Sequence, residues 1–227
     1  LSNVLLERKG NDITVVATDI EIQISARAVC DNPGEAKAIT VGAKKLLDIL
    51  RALPEQSEVT LALQDKKLQV KAAKSRFNLQ TLPAEDFPRL SLAEGASTKM
   101  TLPQKTLKQL FLSVQYAMAQ QDIRYYLNGL LLVTGEDKIT AVATDGHRLA
   151  LASAAHKIEE AQEVILPRKT ILELSKLMSD SDDRVEVELS PTQARFSFGG
   201  IVLISKLVDG KFPDYTRVIP TSHNKKL

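Results

Sequence analysis

Thr144-Asp145-Gly146-His147-Arg148 is the stretch whose residue types come nearest to chemistry. Asp145 and His147 could act as a general base and its orienting partner, which would make the chain a hydrolase-like enzyme. Three aspartates, Asp180, Asp182 and Asp183, resemble part of a calcium loop, but the required glycine and closing glutamate are absent, so they read as a solvated turn. Gln120-Gln121-Asp122-Ile123-Arg124-Tyr125-Tyr126 is a polar loop ending in two aromatics beside an arginine, a pattern that could stack on a base or flank a peptide. The bland reading of those tyrosines is the cover of a sheet edge. His147, His156 and His223 are scattered, and there is no Gly-rich phosphate loop, His-Glu-x-x-His or Gly-x-Ser-x-Gly. Cys30 is the sole cysteine and precedes Asp31-Asn32-Pro33-Gly34 in what reads as a loop; no basic neighbour activates it, and no disulfide is possible within the chain. No cofactor or metal is expected.

The elements that position these residues follow from an internal repeat. At a shift of 126, Val4-Leu5-Leu6 falls on Leu130-Leu131-Leu132, Ile13-Thr14 on Ile139-Thr140, and Val16-Ala17-Thr18-Asp19 on Val142-Ala143-Thr144-Asp145. At a shift of 125, Lys44 falls on Lys169, Leu46-Leu47 on Ile171-Leu172, and Phe87-Pro88 on Phe212-Pro213. Thr18-Asp19 and Thr144-Asp145 are therefore read as one strand-turn-strand device, with the aspartate bonding the turn backbone. Gly146, His147 and Arg148 lack counterparts, which makes them the specific part of the stretch and favours a binding surface over catalysis.

Alternation and β-branched residues predict strands over 13–16, 21–28, 59–63, 68–72 and 77–81, with partners over 139–143, 147–153, 185–189, 194–198 and 201–206. Helices are predicted over 43–53, with Leu46, Leu47, Ile49, Leu50 and Leu53 on one face, and over 168–178 after Pro167. A strand at 99–102 and a helix from Pro103 to about Ala117 have no counterpart in the first repeat, where they would lie before Leu1. The chain, which starts without Met and without a signal-peptide pattern, reads as one entered in mid-domain.

With 44% hydrophobic and 26% charged residues, disorder and collagen-like repetition are excluded, and no apolar run approaches the roughly 20 residues of a membrane helix. The chain reads as cytosolic. Its net charge of +2 is too balanced for a protein that grips nucleic acid over its whole surface. The three predicted helices, however, carry eight basic residues (Lys44, Lys45, Arg51, Lys105, Lys108, Arg168, Lys169, Lys176) against Asp48 and Glu173, a net +6 that leaves −4 elsewhere. Positive helices can approach a phosphate backbone without reading bases, although lysine is also common on any solvated helix face.

Several long stretches resemble one family, the bacterial DNA polymerase III β subunit or sliding clamp. They are Gln121-Asp-Ile-Arg-Tyr-Tyr-Leu-Asn-Gly129, Val142-Ala-Thr-Asp-Gly-His-Arg-Leu149, Leu166-Pro-Arg-Lys169 and Ser205-Lys-Leu-Val-Asp-Gly-Lys-Phe-Pro-Asp-Tyr215. In the first repeat Ser75-Arg-Phe77 and Thr81-Leu-Pro-Ala-Glu-Asp-Phe-Pro88 match. The resemblance implies an α+β DNA clamp fold of repeated domains, each with two helices packed on antiparallel sheets. Residues 1–93 would be a first domain lacking its opening strand and helix, 94–218 a complete second domain, and 219–227 a linker toward an absent third.

The implied role is non-catalytic: a head-to-tail dimeric ring encircles double-stranded DNA and tethers the DNA polymerase III catalytic subunit, the clamp loader and other motif-bearing proteins. By motif, the DNA-facing candidates are Gln121 and Lys169, with Arg124 and Tyr125 nearby. The peptide-motif pocket would comprise Leu127, Thr144, Gly146, His147, Arg148, Leu149, Pro213, Arg217 and Val218, with Arg124 and Tyr126 at its rim. Leu127, Leu149, Pro213 and Val218 would form an apolar floor, with Arg148 and Arg217 framing it. The dimer edge would lie around Ser75 to Leu79, with the strand from Phe77 to Thr81 expected as an unpaired edge.

Overall fold

In a computed structural model the chain is described for residues 1–92, 97–157 and 161–220. Residues 93–96, at the expected boundary between the two repeats, and the polar 221–227 tail with His223, lie outside the described residues. The strands are β1 (Asn3–Thr18), β2 (Ile22–Gly42), β3 (Val59–Gln64), β4 (Lys67–Ala72), β5 (Ser75–Pro83), β6 (Thr98–Pro103), β7 (Gly129–Thr134), β8 (Lys138–Thr144), β9 (Leu149–Ala155), β10 (Gln162–Pro167), β11 (Arg184–Leu189), β12 (Gln193–Phe198) and β13 (Ile201–Lys206). The helices are α1 (Ala43–Ala52), α2 (Gln104–Val114) and α3 (Arg168–Leu177). Contacts divide the chain into two compact units: 1–94 with 185–187 and 195–205, and 95–184 with 188–194 and 206–227. The sequence boundary at 93/94 is adjacent, but strand pairing draws part of the second repeat into the first unit: Ile201 to Ser205 of β13 pair with Ala26 to Ile22 of β2.

In the first unit the strand order runs β3-β4-β5-β2-β13, with β1 antiparallel to β2. One core cluster joins Leu6, Val41, Leu46, Leu68, Val70 and Leu79. Alternation places Leu68 and Val70 of β4 on one face, where α1 delivers Leu46. Of the broad apolar face expected on α1, Leu46 alone is buried; Leu47 and Leu50 are exposed. In β5, residues 75–80 pair with β4, and Thr81 to Pro83 pair with β2. The strand 77–81, expected as an unpaired edge, pairs with β4 along one side over Ser75–Gln80 and with β2 at Thr81, and Phe77 is partly exposed.

The second unit has a four-stranded antiparallel sheet, β10-β7-β8-β9. Helix α2 buries Leu107, Leu110, Phe111 and Val114, the i, i+3, i+4, i+7 spacing of one face, and packs on β8, β9 and α3. The fold agrees with the expected α+β architecture of helices on antiparallel sheets.

The repeat extends to backbone contacts outside the strands. Ala43 N–H donates to the Ser2 carbonyl at 2.9 Å, and Arg168 N–H to the Asn128 carbonyl at 3.0 Å, so α1 and α3 are tied to the residues just before the corresponding strands β1 and β7. Shifted by 126 or 125, β1 covers the ground of β7 and β8, and β2 that of β9 and β10. Cys30 therefore lies within β2 and is half-buried, not in a separate loop. The register slips there: Val29 pairs with Asp12 but Gly34 with Gly10, leaving 30–33 as excess chain opposite Asn11. His147 lies in the turn before β9, which begins at Leu149, later than the expected start of that strand.

Candidate functional site

The Thr-Asp turn is built from the same bonds in both repeats. Asp145 Oδ1 accepts from the N–H groups of His147 (2.9 Å) and Arg148 (3.0 Å); Asp19 Oδ1 accepts from Glu21 (3.0 Å) and Ile22 (2.9 Å). The threonines act alike. Thr144 Oγ1 donates to the Arg148 carbonyl at 2.7 Å and accepts from Gly146 N–H at 3.0 Å, while Thr18 Oγ1 donates to Ile22 at 2.8 Å and accepts from Ile20 at 3.0 Å. The third residue is left-handed in each, φ +71° at Ile20 and +89° at Gly146. The two backbone amides, His147's foremost, hold the Asp145 carboxyl below the usual carboxylate range, and Arg148 adds to this. A carboxylate so occupied is a poor proton acceptor, so the hydrolase-like reading of Asp145 and His147 has no support.

Gly146 has a second reason to lack a side chain. A Cβ there would sit 3.0 Å from Arg124 Nη1, because Arg124 lies across the turn and its Nη2 donates to the Asp145 carbonyl at 3.2 Å. Arg124 is held in place by Asp122, whose Oδ1 accepts from its Nε at 3.0 Å and whose Oδ2 accepts from its Nη2 at 2.8 Å. That two-point charge-assisted contact, with the Arg124 backbone amide, takes the Asp122 carboxyl down to about 2. Asn128 closes the same loop, accepting from Asp122 N–H at 2.9 Å and donating to the Asp122 carbonyl at 2.8 Å. Arg148 is held similarly: its Nε donates to Asp145 at 3.0 Å and its guanidinium stands 5.6 Å from the centre of the Tyr116 ring.

Between these arginines opens a cleft of about 450 Å³. Its walls bring together Arg124, Tyr126, Leu127, Thr144, Gly146, His147, Arg148, Leu149, Pro213 and Val218 from the motif-derived set. Leu127 is buried in a cluster with Leu131, Val142, Ile165 and Phe212, against which Tyr126, Leu149 and Tyr215 pack. Arg217 alone of that set does not line the cleft. Its Nε donates to Asp214 Oδ2 at 2.9 Å, and its side chain is 83% exposed. The hydroxyl and amide of Thr216, followed by Arg217, hold the Asp214 carboxyl below its ordinary range. Asp214 and Tyr215 line the cleft and were not singled out from the sequence, although Tyr215 closes one of the motifs.

Of the residues expected to face DNA, Gln121, Arg124 and Tyr125 lie on the loop that precedes β7, all exposed, with Gln121 left-handed at φ +56°. Lys169 is exposed in the first turn of α3. The Arg168–Asn128 backbone bond ties that turn to the end of the loop. Tyr125 meets Tyr126 edge to face at 5.8 Å. Among the described residues no group of three or more His, Cys, Asp or Glu is placed to hold a metal ion, and no helix is long and apolar enough to cross a membrane.

Comparison with known proteins follows the repeat. The family model for the DNA polymerase III beta subunit, N-terminal domain, matches residues 1–91, and that for its central domain matches residues 101–214. The chain is 45% identical over 227 residues to the beta sliding clamp of Pseudomonas putida, covering 99% of this chain and 62% of that protein. It is 41% identical to the beta sliding clamp of Escherichia coli, again across 62% of the relative. The crystal structure of the DNA polymerase III subunit beta from Pseudomonas aeruginosa superposes with a TM-score of 0.93 at 43% identity, over 98% of this chain and 61% of that one. A Pseudomonas aeruginosa sliding clamp bound to griselimycin gives 0.94, at 43% identity and with 99% and 61% covered. The chain thus spans a little over three fifths of the length of these relatives, and across the two domains they share it belongs to the bacterial DNA polymerase III β subunit family.

Proposed function

We propose that this chain is part of a DNA sliding clamp: a non-catalytic ring component that encircles duplex DNA and tethers a polymerase and other clamp-binding proteins to it. The observation that carries this reading is the cleft, in which ten residues drawn from separate motifs meet around an apolar floor between two immobilised arginines. Such a floor suits the hydrophobic side chains of a short extended peptide, and fixed guanidinium groups suit its polar and terminal groups. Asp122 and Asp145 hold Arg124 and Arg148 in advance, so binding need not order them. The bulk of the chain divides, on this reading, into a first clamp domain over 1–93 and a second over 94–218, with 219–227 leading toward a third.

Gln121, Arg124, Tyr125 and Lys169 are the proposed sequence-blind DNA contacts, suited to sliding because they read no base edge. The partners are double-stranded DNA, the polymerase III catalytic subunit, the clamp loader and other proteins bearing the motif. Dimerisation head to tail belongs to the full-length protein, and the cytoplasm, where a bacterial chromosome is copied, is the compartment the role implies.

The test is titration of the 227-residue chain with a peptide carrying a Gln-Leu-x-Leu/Phe-type motif, the kind the family resemblance implies, alongside His147→Ala and Leu149→Asp. Saturable binding weakened at least tenfold by Leu149→Asp, about 1.4 kcal/mol, is expected. Binding untouched by both changes would remove the cleft from the reading. Hydrolytic turnover lost in His147→Ala would replace the reading with an enzyme.

A further inference from the structure

The two arginines of the cleft are held in different ways. Arg124 donates from Nε and Nη2 to Asp122, and the same Nη2 also reaches the Asp145 carbonyl. Arg148 donates from Nε alone, to Asp145 Oδ2 at 3.0 Å. Its Nη1 and Nη2 have no partner among the described residues. Asp145 is itself fixed by the backbone amides of His147 and Arg148, so the Nε contact sets the direction of the Arg148 side chain.

A second contact sets the plane of that guanidinium. Its central carbon lies over the Tyr116 ring, 5.6 Å from the ring centre. Tyr116 belongs to a short 3-10 turn, Gln115–Ala117, that follows α2. Val114 and Ala117 on either side of it are fully buried and Met118 is nearly so, which anchors the turn, yet Tyr116 is 57% exposed. The ring is therefore not core, and it does not line the cleft. Direction from Asp145 and plane from Tyr116 together leave the terminal Nη1–Nη2 fork as the open edge of Arg148. Such a fork matches the two oxygens of a carboxylate, whereas a single carbonyl would leave one donor unused.

We propose that Arg148 is the specificity-determining donor of the cleft, reading a carboxylate of the bound peptide, and that Tyr116 is the positioning residue that keeps its fork in place. The inference rests on the peptide-binding reading above and adds a charge requirement to the apolar one. An acidic side chain and a free C-terminus present the same pair of oxygens, so the source is decided by experiment.

Four peptides of the Gln-Leu-x-Leu type serve as probes: x as Asp or Asn, each with a free or an amidated C-terminus. Their affinities for the whole chain are measured at low salt. The carboxylate that Arg148 reads should strengthen binding about three- to tenfold over its amide counterpart, the scale of one charge-assisted bidentate contact at a partly exposed site. A gain confined to Asp identifies the side chain as the source, and one confined to the free C-terminus identifies the terminus. Added salt should reduce the ratio. Arg148→Gln should bring it near one. Tyr116→Ala should lower it about two- to fivefold, and Tyr116→Phe, which keeps the ring face, should preserve it. A role of Tyr116 in folding alone would weaken acid and amide peptides equally and leave the ratio unchanged; thermal melting of each variant accompanies the titrations.

A ratio near one for every pair in the parent chain, a ratio that survives Arg148→Gln, or equal ratios in Tyr116→Ala and Tyr116→Phe would overturn this inference while leaving the peptide reading standing. Failure of all four peptides to bind the folded chain would overturn both.

Discussion

Ile20 and Gly146 occupy the same place in the two copies of the Thr-Asp turn, and both are left-handed. For a β-branched residue that conformation costs about 1–2 kcal/mol, against the roughly 0.5–1 kcal/mol that glycine loses in backbone freedom on folding. Ile20→Gly should therefore leave stability unchanged or raise it by up to about 1 kcal/mol, read from the denaturant midpoint; a clear loss would show that the half-exposed isoleucine is held by packing that outweighs the strain. The converse change, Gly146→Ala, meets both the left-handed backbone and the Arg124 guanidinium, so it should destabilise the turn by about 1–2 kcal/mol and loosen Arg124. The Arg124–Asp122 pair also carries a pH signature. Asp122 titrates near 2 in the folded chain, below the roughly 3.9 of a free aspartate, so its stabilising contribution is full above about pH 4 and is lost as pH falls through 2. Carboxyl ¹³C shifts should follow that low value, and Arg124→Ala should return it toward 4; a carboxyl already near 4 in the parent chain would contradict the pairing. These arrangements mark the limit of what could be read from residue types. The turn aspartates were legible because they recur. The Asp122–Asn128 closure and the Tyr116–Arg148 contact were not, because each joins positions that only the folded loop brings together.

At the scale of elements, legibility follows periodicity. Helix α2 was readable from Leu107, Leu110, Phe111 and Val114, and these are the apolar side chains it buries. Phe111 is fully buried, so Phe111→Ala should cost about 3–5 kcal/mol in a denaturant titration; a loss under 1 kcal/mol would mean that the helix is not part of the cooperative core. Leu112, one residue on and exposed, should tolerate Leu112→Ala within about 0.5 kcal/mol. Strand β10, by contrast, went unread. Gln162-Glu163-Val164-Ile165-Leu166-Pro167 lacks clean alternation because Val164, Ile165 and Leu166 are all buried, the pattern of a strand covered on both faces. The length of β2 was hidden for a different reason. Asp31-Asn32-Pro33-Gly34 signals a turn, but the pairing of Gly34 with Gly10 absorbs it as excess chain in a continuing strand. The acidic run at 180–183 is the exposed turn its composition suggests; what its composition does not show is that its carbonyls cap α2 and its carboxylates meet two lysines.

At the scale of the whole molecule, the two repeats share a plan but differ in how fully their cores are covered. In the second unit, α2 packs on β8, β9 and α3, and Ile139, Ala141, Val142, Leu174 and Leu132 are fully buried. In the first unit the corresponding Ile13 and Val15 are partly or largely exposed, Leu47 and Leu50 of α1 face solvent, and Val59 and Leu61 are half-buried. Hydrophobic stabilisation scales with the apolar area removed from water, so the first unit draws less from a similar number of residues. Its backbone hydrogen bonds should consequently open at lower free energy than those of the second. Native-state hydrogen exchange should find the slowest amides in β7 and β8, with those of β3, β4 and α1 exchanging at least tenfold faster, a difference of about 1.4 kcal/mol in opening free energy. In a denaturant titration the first unit should unfold earlier, separating probes in the two units into distinct transitions. Equal protection and coincident transitions would show instead that the β2–β13 pairing, which draws second-repeat strands into the first unit, makes the chain one cooperative body. Val202→Pro would then decide the matter. Proline cannot donate to the β2–β13 ladder, so the change should split a single transition into two if that pairing is what couples the repeats.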